Sequence, residues 1–144
     1  MKIHIEDLEI DLKERFQKEI NYWYFEIIDI FYSGFDSVSI AIGHYSDQKF
    51  NYKFDFSGVY SYRIIQESYY NSAFSDENYH GSSFLQIADT TRYKNDILIN
   101  TLLGEIMSSS QDIHKIKTYR LICHNSFIDV LTSKEPIIEV VETE

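Results

Sequence analysis

The chain has 144 residues, with 23 acidic against 13 basic side chains for a net charge of −10, and an aromatic share of 16%. That length suits one domain, residues 1–144, around one core. A charged content of 25% and a hydrophobic content of 44% exclude a disordered or fibrous chain, and the acidic balance opposes nucleic-acid phosphates and anionic membranes as partners.

Cysteine usage and the first residues add two expectations. The single cysteine, Cys123, has no internal disulfide partner, and its neighbours Leu121 and Ile122 suggest a buried thiol in a reducing compartment. Met1 to Asp7 includes Glu6 and Asp7 where a signal peptide needs an apolar run, and no window approaches about 18 apolar residues. A cytoplasmic address follows as the expectation.

In chain order, Ile5, Leu8, Leu12, Phe16 and Ile20 recur at helical spacing with charges on the opposite face, which predicts an amphipathic helix over 5–20. The alternation over 8–12 makes a short strand the rival. Residues 22–32 are too rich in β-formers for a surface helix and read as a long strand. Ser33 to Asp36 then closes a hairpin onto the alternating Val38, Ile40 and Ile42.

Phe50, Tyr52, Phe54 and Phe56 form the clearest period-two pattern, and Ser57-Gly58 separates them from a second strand, 59–65. A tight hairpin or a glycine bulge in one bent strand fits that junction. Residues 66–83 are polar yet carry Tyr69, Tyr70, Phe74 and Tyr79, the composition of a binding loop. A short strand at 84–87 precedes the capping candidates Asp89, Thr90 and Thr91. Ile97, Leu98, Leu102, Ile106 and Met107 then predict a second helix of roughly four turns, ended by Ser108 to Ser110. Segments 116–123 and 127–131 form a further hairpin, and Pro136 opens a final edge strand over 137–141. The expected fold is α+β, a mainly antiparallel sheet of about seven strands with two helices, since most gaps are too short for parallel crossovers.

No chemistry-bearing motif stands out. His4, His44, His80, His114 and His124 are scattered without metal-ligand spacing, no nucleophile elbow presents a serine, and the glycines are too isolated to cradle a phosphate. No catalytic, cofactor-binding or metal residues are therefore assigned, and no cofactor is expected. Acid pairs such as Glu26 with Asp29, or Asp55 with Glu67, arise by chance in a chain this acidic, and solvated strand faces account for them. Arg63, flanked by Tyr62 and Ile64, should seek a carboxylate such as Glu67. Tyrosines beside acids suit protein recognition, because Tyr supplies contact area at low entropy cost while carboxylates steer a basic partner in. The expected contact residues are Tyr69, Tyr70, Asp76, Glu77 and Tyr79.

Two stretches carry a family resemblance: Phe54 to Phe56 with Val59 to Glu67, and the Tyr119 to Val130 hairpin running on to Ser133 and Glu135-Pro136. They resemble small bacterial immunity proteins of polymorphic or contact-dependent toxin systems. The resemblance implies a non-enzymatic cytoplasmic inhibitor that occludes a cognate toxin's active site or a surface beside it, and the acidic balance makes a basic toxin domain the expected partner. Two rivals remain beside it. One is a small-molecule-binding domain or small enzyme with a Tyr/carboxylate cleft and Arg63 as an anion anchor. The other is a subunit of a larger assembly, such as a homodimer paired through the final strand.

Overall fold

The computed structural model describes residues 1–16, 25–32, 36–44, 49–66, 79–81, 85–101, 104, 106, 111–124 and 126–143. A two-residue strand β1 (Lys2–Ile3) and a 3₁₀ turn (Ile5–Asp7) lead into α1 (Leu8–Phe16). Strands β2 (Phe25–Tyr32), β3 (Val38–His44), β4 (Phe50–Phe56) and β5 (Val59–Gln66) follow. After these come β6 (His80–Gly81), β7 (Leu85–Ala88) and helix α2 (Arg92–Asn100), then β8 (Lys117–Ile122), β9 (Ser126–Thr132) and β10 (Ile137–Glu142).

The fold is α+β, but its strands divide into two antiparallel sheets of five rather than one sheet of about seven. Sheet A has the order β1-β10-β4-β3-β2 and sheet B the order β5-β9-β8-β7-β6. Two of the additional strands, β1 and β6, are two residues long, too short to show any alternation in sequence, and exist only through their ladders to β10 and β7.

The junction at Ser57-Gly58 is neither of the two features expected there. Strand β4 pairs with β3 and β10, whereas β5 pairs with β9, so the chain turns a corner from one sheet into the other. Gly58 makes the corner possible with φ of 61°, a left-handed conformation that costs glycine nothing. The Thr132 hydroxyl locks it by donating to the Ser57 and Gly58 carbonyls at 2.8 and 3.1 Å.

Inward-facing side chains of both sheets share one core. Val38, Ile40 and Ile42 of β3, Tyr52, Phe54 and Phe56 of β4, and Ile138 and Val140 of β10 meet Tyr119 and Leu121 of β8 and Ile128 and Val130 of β9. Leu8, Leu12 and Phe16, the periodic residues of the first helix, enter the same cluster, so the helical reading of 8–12 holds and the rival strand does not. Burial of each such side chain contributes about 1.5–3 kcal/mol, more than the weak intrinsic helicity of a nine-residue segment could supply. Phe16 stacks on the His44 ring at 5.3 Å and meets Phe25 edge-on at 5.6 Å. The Tyr52 phenol donates to Asp11 at 2.8 Å, and Arg15 donates to the same carboxylate. Ile20 and residues 22–24 lie outside the described residues.

Helix α2 covers the outer face of sheet B, where Tyr93, Ile116 and Leu131 form a second apolar cluster with Ile97. Thr91 is its N-cap, accepting from the Lys94 N–H at 3.0 Å, as the capping candidates anticipated. The expected four-turn helix is interrupted: α2 ends after Asn100, where Thr101 is extended, and helical backbone returns at Gly104 and Ile106, while Leu102 and Met107 lie outside the described residues. The final strand also differs from expectation: β10 lies between β4 and β1, so Pro136 precedes an internal strand and costs its ladder no donor.

Cys123 is buried, 3% exposed, within the core. Burial, with Glu26 adding to it, pushes the thiol up to about 12. A thiol that is neither exposed nor ionised should leave a disulfide-exchange reagent unreacted at about pH 8 in the native protein and react in full once denatured. Rapid reaction of native protein would place the sulfur at the surface.

Candidate functional site

Two surfaces of the sheets concentrate charge, and they do so in opposite ways. The first is the outer face of sheet B, where Arg63, Asp129 and Arg120 are direct cross-strand partners on β5, β9 and β8. Position in the ladder therefore sets the cluster, since directly opposed residues project to the same side. Asp129 is 0% exposed. Its Oδ1 accepts from Arg120 Nε at 2.7 Å, and its Oδ2 accepts from Arg120 Nη2 at 3.0 Å and Arg63 Nε at 2.9 Å. The Arg120 contact is bidentate, the strong planar arrangement available to guanidinium and not to ammonium.

Aromatic rings close in on the cluster. Arg63 lies 4.3 Å from the Tyr93 ring centre, while Arg120 lies 4.3 Å from Tyr79 and 4.8 Å from Phe127. Each contact adds cation–π attraction, strongest around Arg120, whose side chain is 3% exposed. The Tyr93 hydroxyl is bonded to Ser61, and burial holds its pKa above the usual phenol value. Close by, Lys94 turns inward from α2 and donates through Nζ to the carbonyls of Asp89 at 3.0 Å and Ile116 at 2.7 Å. Burial lowers its pKa, with Asp89 opposing. With both carboxylate oxygens taken and no exposed surface, Asp129 is out of reach of any solvent-borne substrate. The cluster's work is to hold cations inside the fold.

The second surface is the outer face of sheet A, which reads as three cross-strand rows. Phe31, Ser39, Asp55 and Ile137 form one; Asp29, Ala41, Lys53, Glu139 and Lys2 the next; Glu26, Gly43, Asn51 and Val141 the third. The middle strand, β3, contributes only small residues here, Ser39, Ala41 and Gly43. Small residues therefore separate Phe31 and Ile28 on β2 from Ile137 and Val141 on β10. These four residues are between 38% and 53% exposed. The Ile28 side chain closes over Gly43, its Cδ1 within 2.5 Å of where a glycine-replacing Cβ would stand, which is why that position carries no side chain.

Carboxylates outnumber cations on this face: Glu26, Asp29, Asp55 and Glu139 against Lys2 and Lys53. Asp55 is bonded to the Ser39 hydroxyl and lies 3.8 Å from Lys53.

Of the expected contact residues, Tyr69, Tyr70, Asp76 and Glu77 lie outside the described residues, as does Glu67. Tyr79 is half-buried with its ring against Arg120, at the start of a segment expected to be loop but forming β6 at His80–Gly81. Arg63 found a carboxylate as its setting required, with Asp129, far away in sequence, supplying it. The alternating surface residues of β2, β3 and β10 were overlooked as a site because each looks ordinary alone, and only the register assembles them. Among the described residues no group of three or more His, Cys, Asp or Glu side chains could hold a metal ion, and no helix is long and apolar enough to cross a membrane. No protein family, curated protein or solved structure matches this chain.

Proposed function

We propose that this chain is a non-enzymatic, immunity-type protein that binds and neutralises a cognate basic toxin domain, and that the outer face of sheet A is its main docking surface. One observation carries the reading: Asp129 is the single buried carboxylate among the described residues, against two buried cations, so the burial of charge leaves the surface more acidic than the chain as a whole. The buried charged side chains among the described residues, Lys94, Arg120 and Asp129, sum to one positive charge, so the remaining chain is one charge more negative than the overall −10. Arg63 and Arg15 are also drawn to carboxylates of the chain itself. Such a surface steers a basic protein by long-range attraction, and exposed apolar anchors amid acids provide short-range contact. A nuclease toxin, whose substrate groove must itself be basic, fits that field.

The segments carrying the family resemblance support the framework of the proposal and not its contact surface. Most of them form β5 and the β8–β9 hairpin of sheet B, while Phe54 to Phe56 close β4 of sheet A and bring only Asp55 to the acidic face. Homodimerisation through the final strand has weaker support, since β1 occupies the β10 edge at Ile138 and Glu139.

Co-expression with the product of the neighbouring upstream gene tests the proposal, scored by growth rescue and by recovery of a stoichiometric complex. With such a partner in hand, Asp29→Lys combined with Glu139→Lys should slow association at least about tenfold at low salt, with a smaller difference as salt screens the field. The same measurement on Asp76→Lys with Glu77→Lys reports on the loop. Absence of both rescue and a complex would remove the immunity reading, and an unchanged rate in the Asp29/Glu139 variant would remove this face.

A further inference from the structure

Where sheet A and sheet B meet at their β2 and β5 edges, a groove of about 330 Å³ opens between the end of β2, the start of β3 and the start of β5. Three tyrosines line it, Tyr32 from β2 and Tyr60 and Tyr62 from β5, together with Asp36 and Ser61. Tyr32 and Tyr62 stand 5.8 Å apart with their rings tilted by 56°, so they present two faces at an angle rather than a closed stack. Tyr32 is 69% exposed and Tyr60 is 42% exposed, although burying either ring would be favourable.

Asp36 brings charge to this aromatic setting. Its backbone carbonyl accepts from the Val59 N–H at 2.8 Å, which ties the β3 entry to the first residue of β5 and holds Asp36 in the lining of the groove. The side chain is exposed, and among the described residues it has no ion-pair partner. Rings at an angle beside a carboxylate favour one ligand chemistry, a cation with a flat face. The ring quadrupoles attract positive charge, the carboxylate neutralises it, and a planar guanidinium can lie on a tyrosine while its N–H groups fork onto the carboxylate. The volume lies at the lower limit of ligand sites, about 300 Å³, which suits one extended side chain better than a cofactor.

We infer that this groove is an anchor site for an arginine side chain of a basic protein partner. The inference rests on the proposed function for the identity of that partner, while the recognition chemistry belongs to the groove alone. Phe31 and Tyr32 are consecutive on β2 and project to opposite faces, so the groove lies around the β2 edge from the acidic face. One arginine seated among the tyrosines, with its flanking chain turning around that edge, would fix the register of a steered encounter. Interface hot spots of this kind are enriched in Tyr and Arg.

The test uses the whole chain and acetyl-arginine N-methylamide as probe, followed by amide chemical shifts, with acetyl-norleucine N-methylamide as the neutral control. Saturable shifts confined to Tyr32, Asp36 and residues 59–62 are expected with the arginine probe and not with norleucine. Asp36→Asn should weaken binding about tenfold, Tyr60→Ala should weaken it similarly, and Tyr60→Phe should retain it, because the ring and not the hydroxyl carries the attraction. Dispersed spectra of each variant establish that it is folded, and the exposure of Tyr60 makes that the expected state. Shifts that rise linearly and spread over the acidic strands, or binding unchanged in Asp36→Asn, would overturn the site. Probe binding without any toxin partner would leave the groove standing and reject the immunity reading. A partner complex formed equally well by Tyr60→Ala and by Asp36→Asn would do the reverse.

Discussion

Replacing Asp129 with Asn is expected to lower stability by about 3–5 kcal/mol. At roughly 2–4 °C per kcal/mol for a chain of this size, the melting temperature should fall by about 6–20 °C. The substitution keeps the shape and removes the charge. Asp129 is the carboxylate that faces both Arg63 and Arg120, and it accepts three guanidinium hydrogen bonds while 0% exposed. Asn would offer one acceptor and turn an NH₂ donor toward N–H groups, leaving like charges facing each other beneath α2. Urea denaturation measures the loss.

Removing the arginines as well separates charge from packing. Asp129→Leu combined with Arg63→Met and Arg120→Met should recover most of the stability, since an apolar replacement of a whole buried ion cluster is often neutral or better. A cost below about 1 kcal/mol for Asp129→Asn alone would mean that water screens the cluster, and the argument that cations are sequestered inside the fold would fall with it.

The fate of Arg63 illustrates what the sequence could and could not disclose. That a guanidinium between Tyr62 and Ile64 must find a carboxylate followed from its neighbours alone. That the carboxylate is Asp129 depended on the pairing of β5 with β9, a long-range register to which local periodicity is blind. Phe50 to Phe56 was legible because alternation survives any choice of partner strand. Ser57-Gly58 was not, because the same residues serve a hairpin and a corner between sheets.

The acidic face repeats that lesson at the level of function. Glu26, Asp29, Asp55 and Glu139 come from three strands, and nothing in their spacing joins them until β2, β3, β4 and β10 lie side by side. The loop that did stand out, through Tyr69, Tyr70, Asp76 and Glu77, did so by composition, which reports stickiness and charge without geometry. Helix α2 was legible at its start, where Thr91 has a local capping task, and its interruption at Thr101 was not. Ile106 and Met107 continued the period without any local mark that the backbone would leave the helix at Thr101.

Alkali should unfold this protein cooperatively between about pH 10 and pH 12. Cys123 has its thiol pushed up by burial to about 12 from an ordinary 9.0, and Tyr119 has its phenol pushed up to about 12 from 10.0, again chiefly by burial, with Glu135 and Asp89 adding repulsion. Tyr52 is raised further still, by burial first and then by the hydrogen bond it donates to Asp11. The sign is the same for all three, because each folded pKa lies above its unfolded one. The native state therefore keeps its full advantage below about pH 9, where both states hold the proton, and loses it as pH climbs and only the unfolded chain can release it. At about 1.4 kcal/mol per tenfold, Cys123 alone removes up to about 4 kcal/mol across that interval, a large part of the 5–15 kcal/mol typical of a domain. Urea midpoints from about pH 7 to pH 11 should thus fall steeply only above about pH 9. In Cys123→Ala the protein should be less stable at neutral pH, from the lost packing, yet lose less on going to high pH, so the two curves converge. Parallel curves would show that the thiol ionises without unfolding the core, and would place the alkaline weakness in the two tyrosines.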